Sequence, residues 1–272
     1  MIVGTDLEKT LAEFAEAFAR LTAAYDGSGA HAADLQEQID RYSELILEPA
    51  SEPLWEAHEQ RSPEEAERLA DVLRHRSALA VAQMEKHRAL RLLEGEESPA
   101  AYFRNIESCI EEEFGHFAVT PESKVLMVGS GSFPMTPLLI ARRTGAEVLG
   151  VDIDAEAVEL GRQVARKLGP ELPIRIEHGQ AHEQRGLEEV THLIFSSTIP
   201  VKYDLLERLH PLTSPRATAA MRYGDGFKSL FNYPMRQAAD SRWLLAGRAL
   251  RPDRIFDIAL YTKDSGMPGG GR

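Results

Sequence analysis

Apolar residues recur at helical spacing through the first part of the chain. Leu7, Leu11, Phe14, Phe18 and Leu21 fall on one face and predict an amphipathic helix. Asp26-Gly27-Ser28-Gly29 breaks it. Leu35, Ile39, Tyr42 and Ile46 mark a second helix near residues 32–47, after which Pro49 and Pro53 interrupt. Ser62-Pro63-Glu64-Glu65 is a strong helix start: the serine caps, the proline suits the first helical position, and the acid three residues after the serine completes a capping box. That helix carries Leu69, Val72, Leu73, Leu79, Met84 and Leu90, runs to about Leu93, and is closed by Gly95. Ser98-Pro99 opens another, with Tyr102, Phe103, Ile106, Ile110 and Phe114, that stops near Gly115.

At Pro121 the period changes. Val125 to Val128 is a short apolar run of the kind a strand buried on both faces shows. Strands are then expected at 147–151, 174–177, 192–196, 217–222 and 255–262. Helices are expected after the first strand, after the Asp154 cap (Val158, Leu160, Val164, Leu168, ending at Gly169-Pro170), over 202–209 and over 234–250. Strands alternating with helices predict a doubly wound, mostly parallel α/β sheet. The chain divides into an N-terminal all-helical domain, 1–118, and a Rossmann-like domain, 119–272. The Gly-rich tail from Gly266 is expected to fray.

Composition narrows the function classes. A net charge of −12 over 272 residues argues against a nucleic-acid partner, which needs a basic patch. The single cysteine, Cys109, allows no internal disulfide, and no Cys/His cluster has metal-ligand spacing. No apolar run approaches the ~20 residues of a membrane span, and Met1 to Thr10 lacks a basic-then-apolar leader. A cytoplasmic protein is the expectation.

The candidate chemistry lies in Lys124 to Asp154, a strand, a glycine turn, a helix and a second strand ending on acids. Gly129 and Gly131 let the backbone approach a ligand, and Asp152 ends the second strand, where it can accept from ribose hydroxyls, with Ile153 beside it. Gly129-Ser130-Gly131 is followed by Ser132-Phe133-Pro134, so the third glycine of a dinucleotide fingerprint is missing. Phe133 and Pro134 are bulky where a pyrophosphate would sit at the helix start. This favours S-adenosylmethionine (SAM), which has a ribose and no phosphate, over a nicotinamide or flavin cofactor or a purely structural turn, and makes 119–272 a Rossmann-like domain of the SAM-dependent methyltransferase type. Gly179-Gln180-Ala181, where adenine usually lies, and Ser196-Ser197-Thr198, toward the reacting end, complete the rim.

Three segments carry a family resemblance. VGSGSFPMTPLLIA (Val128–Ala141) resembles the glycine loop of the nicotianamine synthases, MRYGDGFKSLFNYP (Met221–Pro234) their late motif, and MEKHRALRLL (Met84–Leu93) their helical Glu-x-His segment. The resemblance covers roughly residues 65–262. The chain is shorter than the plant enzymes and is most similar to the bacterial branch that makes opine metallophores of the staphylopine and pseudopaline type. The resemblance implies transfer of one 3-amino-3-carboxypropyl (aminobutyrate) group from SAM to the amine of histidine, release of methylthioadenosine, and a separate opine dehydrogenase acting next. It implies no metal in the enzyme, and paired helical domains make a homodimer plausible.

The same resemblance implies site residues. Glu85 matches the catalytic glutamate. The family's Asn-Tyr pair stands here as Asn105-Ile106, with Tyr102 one helical turn earlier as a substitute. Arg222 is in place to hold a carboxylate, while Tyr223 stands where relatives carry a small polar residue. His31, in the N-terminal part, is a candidate acceptor contact. An acceptor amine must lose its proton to attack, and Glu85 could take it if burial raises its pKa toward neutrality. Two other functions fit the SAM-like turn alone: a small-molecule methyltransferase, and a non-catalytic SAM-binding module whose helices dock a partner.

Overall fold

The computed structural model describes residues 4–96, 118–236 and 242–263. Among the described residues four helices come first: α1 (Gly4–Ala24), α2 (Gly29–Ile46), α3 (Glu52–Arg61) and α4 (Pro63–Glu94). Then follow β1 (Lys124–Val128), α5 (Met135–Thr144), β2 (Glu147–Asp152), α6 (Ala155–Leu168), β3 (Ile174–His178), β4 (His192–Phe195), α7 (Lys202–Leu209), β5 (Thr218–Tyr223), β6 (Trp243–Ala249) and β7 (Asp257–Lys263). The helix expected from Ser98, with Tyr102, Asn105 and Cys109, lies outside the described residues, as does the tail from Gly266.

The chain forms two compact units. One is drawn from Met1–Arg88, Tyr223–Met235 and Leu250–Asp257, the other from Ala89–Arg222, Arg236–Ala249 and Ile258–Arg272.

The first unit has one apolar core. Leu7, Leu11, Phe14 and Phe18 of α1 meet Leu35, Ile39 and Tyr42 of α2, Trp55 of α3 and Leu73 of α4. The late residues Phe227, Leu230 and Phe231 join the same core. Polar groups fix this late segment: the Tyr42 hydroxyl donates to the Leu230 carbonyl at 2.8 Å, and Arg74 Nη1 to the Ser229 carbonyl at 2.8 Å. Its glycines have local causes. A Cβ on Gly224 would stand 2.7 Å from the Lys228 carbonyl oxygen, and Gly226 has φ +55° with Glu52 against it. Helix α3 was not expected from the sequence. Pro53 occupies its first turn, where the missing N–H costs no hydrogen bond.

The second unit is built on a seven-stranded sheet of order β3-β2-β1-β4-β5-β7-β6. Strands β3, β2, β1, β4 and β5 run parallel, pair by pair. The order reverses between β1 and β4, which is the topological switch point where such sheets hold ligands. Burial explains the apolar runs: Val125, Leu126, Met127 and Val128 are all buried. Where a helix was expected over 234–250, the described residues of that range form none. Trp243–Ala249 is strand β6, antiparallel to β7, with an irregularity between Leu245 and Gly247. Only Trp243 of that strand is buried, while Leu244 and Leu245 are exposed. Its ladder with β7 pairs one side of its backbone, with a long-range partner that local periodicity does not reveal.

Candidate functional site

The glycine turn follows β1 and is pinned to the end of β2. The N–H groups of Gly129 and Ser130 both donate to the Val151 carbonyl, at 2.9 and 3.2 Å. Gly129 has φ +77° and Gly131 φ +67°, the left-handed region that disfavours a side chain. A Cβ on Gly129 would stand 2.9 Å from Ile199 and 3.0 Å from Ser196, so the turn also lies against the loop after β4. A Cβ on Gly161, in the middle of α6, would meet the Gly131 carbonyl at 3.0 Å. This glycine was not singled out from the sequence, although an isolated glycine inside a helical pattern is a signal of close approach.

Asp152 organises the rim. Its Oδ2 accepts from Gly131 N at 2.9 Å and its Oδ1 from Asp154 N at 3.0 Å, while its own carbonyl accepts from Gly179 N at 2.9 Å. An ionised carboxylate has about four acceptor positions, so lone pairs remain for a diol after these two bonds. Next to it Ile153 is 70% exposed, an apolar side chain beside a polar rim. Gln180 is exposed and Ala181 buried. Ser196 N continues the ladder to the Val128 carbonyl at 3.1 Å, and its hydroxyl lies 3.3 Å from that of Thr198. The unit thus gathers Gly129, Ser130, Gly131, Asp152, Gly179 and Ser196 at the carboxyl ends of four adjacent strands.

Two expected rim residues turn inward. Phe133 is 5% exposed and packs with Met135, Leu138, Leu160 and Val164. Pro134 is the residue before α5 and caps it with no side-chain hydrogen bond. Arg222, near the end of β5, donates from Nη2 to Thr136 Oγ1 in the first turn of α5, at 3.2 Å. In the other unit, Tyr223 is 1% exposed.

That helical unit holds Glu85 and His31, while Tyr102 lies outside the described residues. Glu85 is partly buried on α4. The same stretch of α4 is tied to the end of α1 and to α2: Gln83 donates to the Thr22 carbonyl at 3.2 Å and Arg88 to Gln36 Oε1 at 2.6 Å. His87 Nδ1 and the Tyr25 hydroxyl share a hydrogen bond of 2.9 Å, with their rings edge to face. Burial, then the Asp26 charge, raises the Tyr25 pKa above 10.0. His31 Nδ1 lies 2.9 Å from Asp26 Oδ1, which also accepts from Ser28 N at 2.8 Å. The Ser28 bonds, then His31, hold the Asp26 carboxyl well below the usual carboxylate range. Tyr25 was not expected from the sequence, and its place just after a predicted helix gave no hint of its partner. Among the described residues no group of three or more His, Cys, Asp and Glu is arranged to hold a metal ion.

No protein-family model matches the chain. Individual proteins do. An L-histidine 2-aminobutanoyltransferase of Pseudomonas aeruginosa (strain UCBPP-PA14) is 29% identical over 230 residues, 84% of this chain and 86% of that protein. An L-histidine 2-aminobutanoyltransferase of Yersinia pestis is 30% identical over 190 residues, 69% of this chain and 70% of the relative. The chain belongs to the L-histidine 2-aminobutanoyltransferase family. Solved structures of MtNAS, a nicotianamine synthase, have the same fold. The complex with MTA and tNA superposes with a TM-score of 0.79 at 17% identity, covering 95% of this chain and 98% of that one. A variant of MtNAS in complex with S-adenosylmethionine gives a TM-score of 0.73 at 16% identity, covering 92% of this chain and 98% of that one.

Proposed function

We propose that this protein transfers one aminobutyrate group from SAM to the amine of histidine and releases methylthioadenosine. The observation that carries this is the 30% identity to the Yersinia pestis L-histidine 2-aminobutanoyltransferase over 69% of this chain. The glycine turn agrees with it: the Gly129–Gly131 backbone, the remaining lone pairs of Asp152 and the exposed Ile153 suit a ribose and an adenine without a phosphate.

SAM brings a sulfonium that makes the first carbon of its amino-acid arm electrophilic. The chain's own contribution is placement, and a near-attack geometry supplies ~7–11 kcal/mol. Asp152 holds the ribose end, Gly179 to Ala181 flank the adenine, and Arg222 pairs with a carboxylate on the reacting side. Glu85 takes the proton from the acceptor amine, with His31 and Tyr223 on the acceptor side and Tyr102 in support. The roles of Glu85, Arg222 and Tyr223 rest on the matching segments of sequence, and those of Asp152 and Gly179 to Ala181 on their places at the strand ends. A cytoplasmic enzyme, followed by an opine dehydrogenase that joins the product to a keto acid, and a homodimeric assembly complete the proposal.

Product analysis tests it. Incubation with SAM and L-histidine should yield methylthioadenosine and a histidine adduct in equal amounts. S-adenosylhomocysteine with methylated product would instead make the protein a methyltransferase, and SAM binding without turnover would make it a binding module. Glu85→Gln should abolish turnover while SAM affinity stays within about threefold.

A further inference from the structure

Lys202 opens α7, and its side chain is fully buried, at 0% exposure. An ammonium taken out of water needs replacement partners, and a buried lysine without them is rare. Here Nζ donates to the Arg222 carbonyl at 2.7 Å and to the Ser197 carbonyl at 3.3 Å, and it lies 5.8 Å from the centre of the Tyr203 ring. The position of these two carbonyls is informative. The β4–β5 ladder ends at the pair Phe195 and Met221. Arg222 comes directly after Met221, and Ser197 two residues after Phe195. The ammonium is therefore a side-chain rung that joins β4 and β5 just beyond the point where their backbone ladder stops.

The neighbouring bonds extend the same bracing. Ser196 N stays with β1 through the Val128 carbonyl, and the Arg222 guanidinium reaches Thr136 at the start of α5. Together these contacts fix the loop after β4 and the end of β5 relative to the glycine turn. They lie across the switch point from Asp152 and Gly179, which serve the ribose and adenine.

We propose that Lys202 is a positioning residue for the transfer: it sets the spacing between the Ser196–Thr198 loop and Arg222, and so the placement of the aminobutyrate arm. This rests on the function proposed above. A methionine would fill the same space without the charge or the two hydrogen bonds, and burying a charge is not required for packing alone.

The test compares Lys202→Met with wild type in methylthioadenosine binding, turnover and thermal unfolding. Methylthioadenosine lacks the aminobutyrate arm, so its dissociation constant should stay within about twofold while kcat falls at least about tenfold, as a small misplacement of a reacting group does. Lys202→Arg, which restores a cation, should recover part of the rate. Should Lys202→Met fail to fold, Lys202→Gln carries the same comparison, since its amide can still reach one carbonyl. Unchanged kcat, or a parallel loss of kcat and methylthioadenosine affinity, would overturn the proposal. A wild-type enzyme that forms no histidine adduct would instead overturn the function itself.

Discussion

Gly129 and Asp152 show how single residues shape the candidate site. The positive φ of Gly129 and the 2.9 Å approach of Ile199 to a built Cβ act together, so Gly129→Ala should destabilise the protein by roughly 1–3 kcal/mol. Chemical denaturation measures this. Asp152 holds Gly131 N and keeps lone pairs for the ribose contact proposed above. Asp152→Ala should weaken SAM binding by about tenfold or more, as loss of hydrogen bonds to a charged group does, and calorimetric titration should reveal it. The sequence made these two residues legible because their signals are local: glycines after an apolar run, and an acid at the end of the next one. The inward turn of Phe133 was not legible. Bulk beside a glycine turn looks the same in sequence whether the ring faces a ligand or packs on Leu160 and Val164.

At the scale of elements, long, periodic helices and short buried strands follow directly from the pattern of apolar residues. Two elements did not. Pro53 has the appearance of a breaker, yet it belongs to the first turn of α3. Trp243-Leu244-Leu245 has the appearance of a helix face, yet it forms an edge strand whose partner is β7. The segment after β5 is a third case. Its core residues Phe227, Leu230 and Phe231 meet helices from the start of the chain, a pairing over a sequence separation that no local signal marks. The bond from the Tyr42 hydroxyl to the Leu230 carbonyl is fully buried. Tyr42→Phe leaves that carbonyl unsatisfied and should cost about 1–3 kcal/mol in equilibrium unfolding. A cost within 0.3 kcal/mol would show that water or a neighbour replaces the hydroxyl, by the usual scale of such effects.

The molecule as a whole carries a pH dependence. Burial holds the His192 imidazole below its ordinary value of 6.5. Burial does the same for His210, helped by the Lys263 and Arg242 cations. Below about pH 6.5 the unfolded chain takes up protons that the folded chain still refuses. Stability is therefore full above that pH and falls on acidification until the folded imidazoles also titrate. Thermal unfolding across this range should show the slope, and His192→Gln should flatten it. The α/β architecture behind a helical first part was readable from the order of apolar patterns. The choice of reacting carbon was not, because a glycine turn and an acid recognise adenosine and ribose in either kind of transfer.

That choice decides the function, and doubly labelled SAM measures it directly. With one label in the aminobutyrate carbons and another in the methyl group, incubation with L-histidine should move the aminobutyrate label onto histidine and leave the methyl label on methylthioadenosine. Arrival of the methyl label on the acceptor, with the aminobutyrate label left on S-adenosylhomocysteine, would contradict the account.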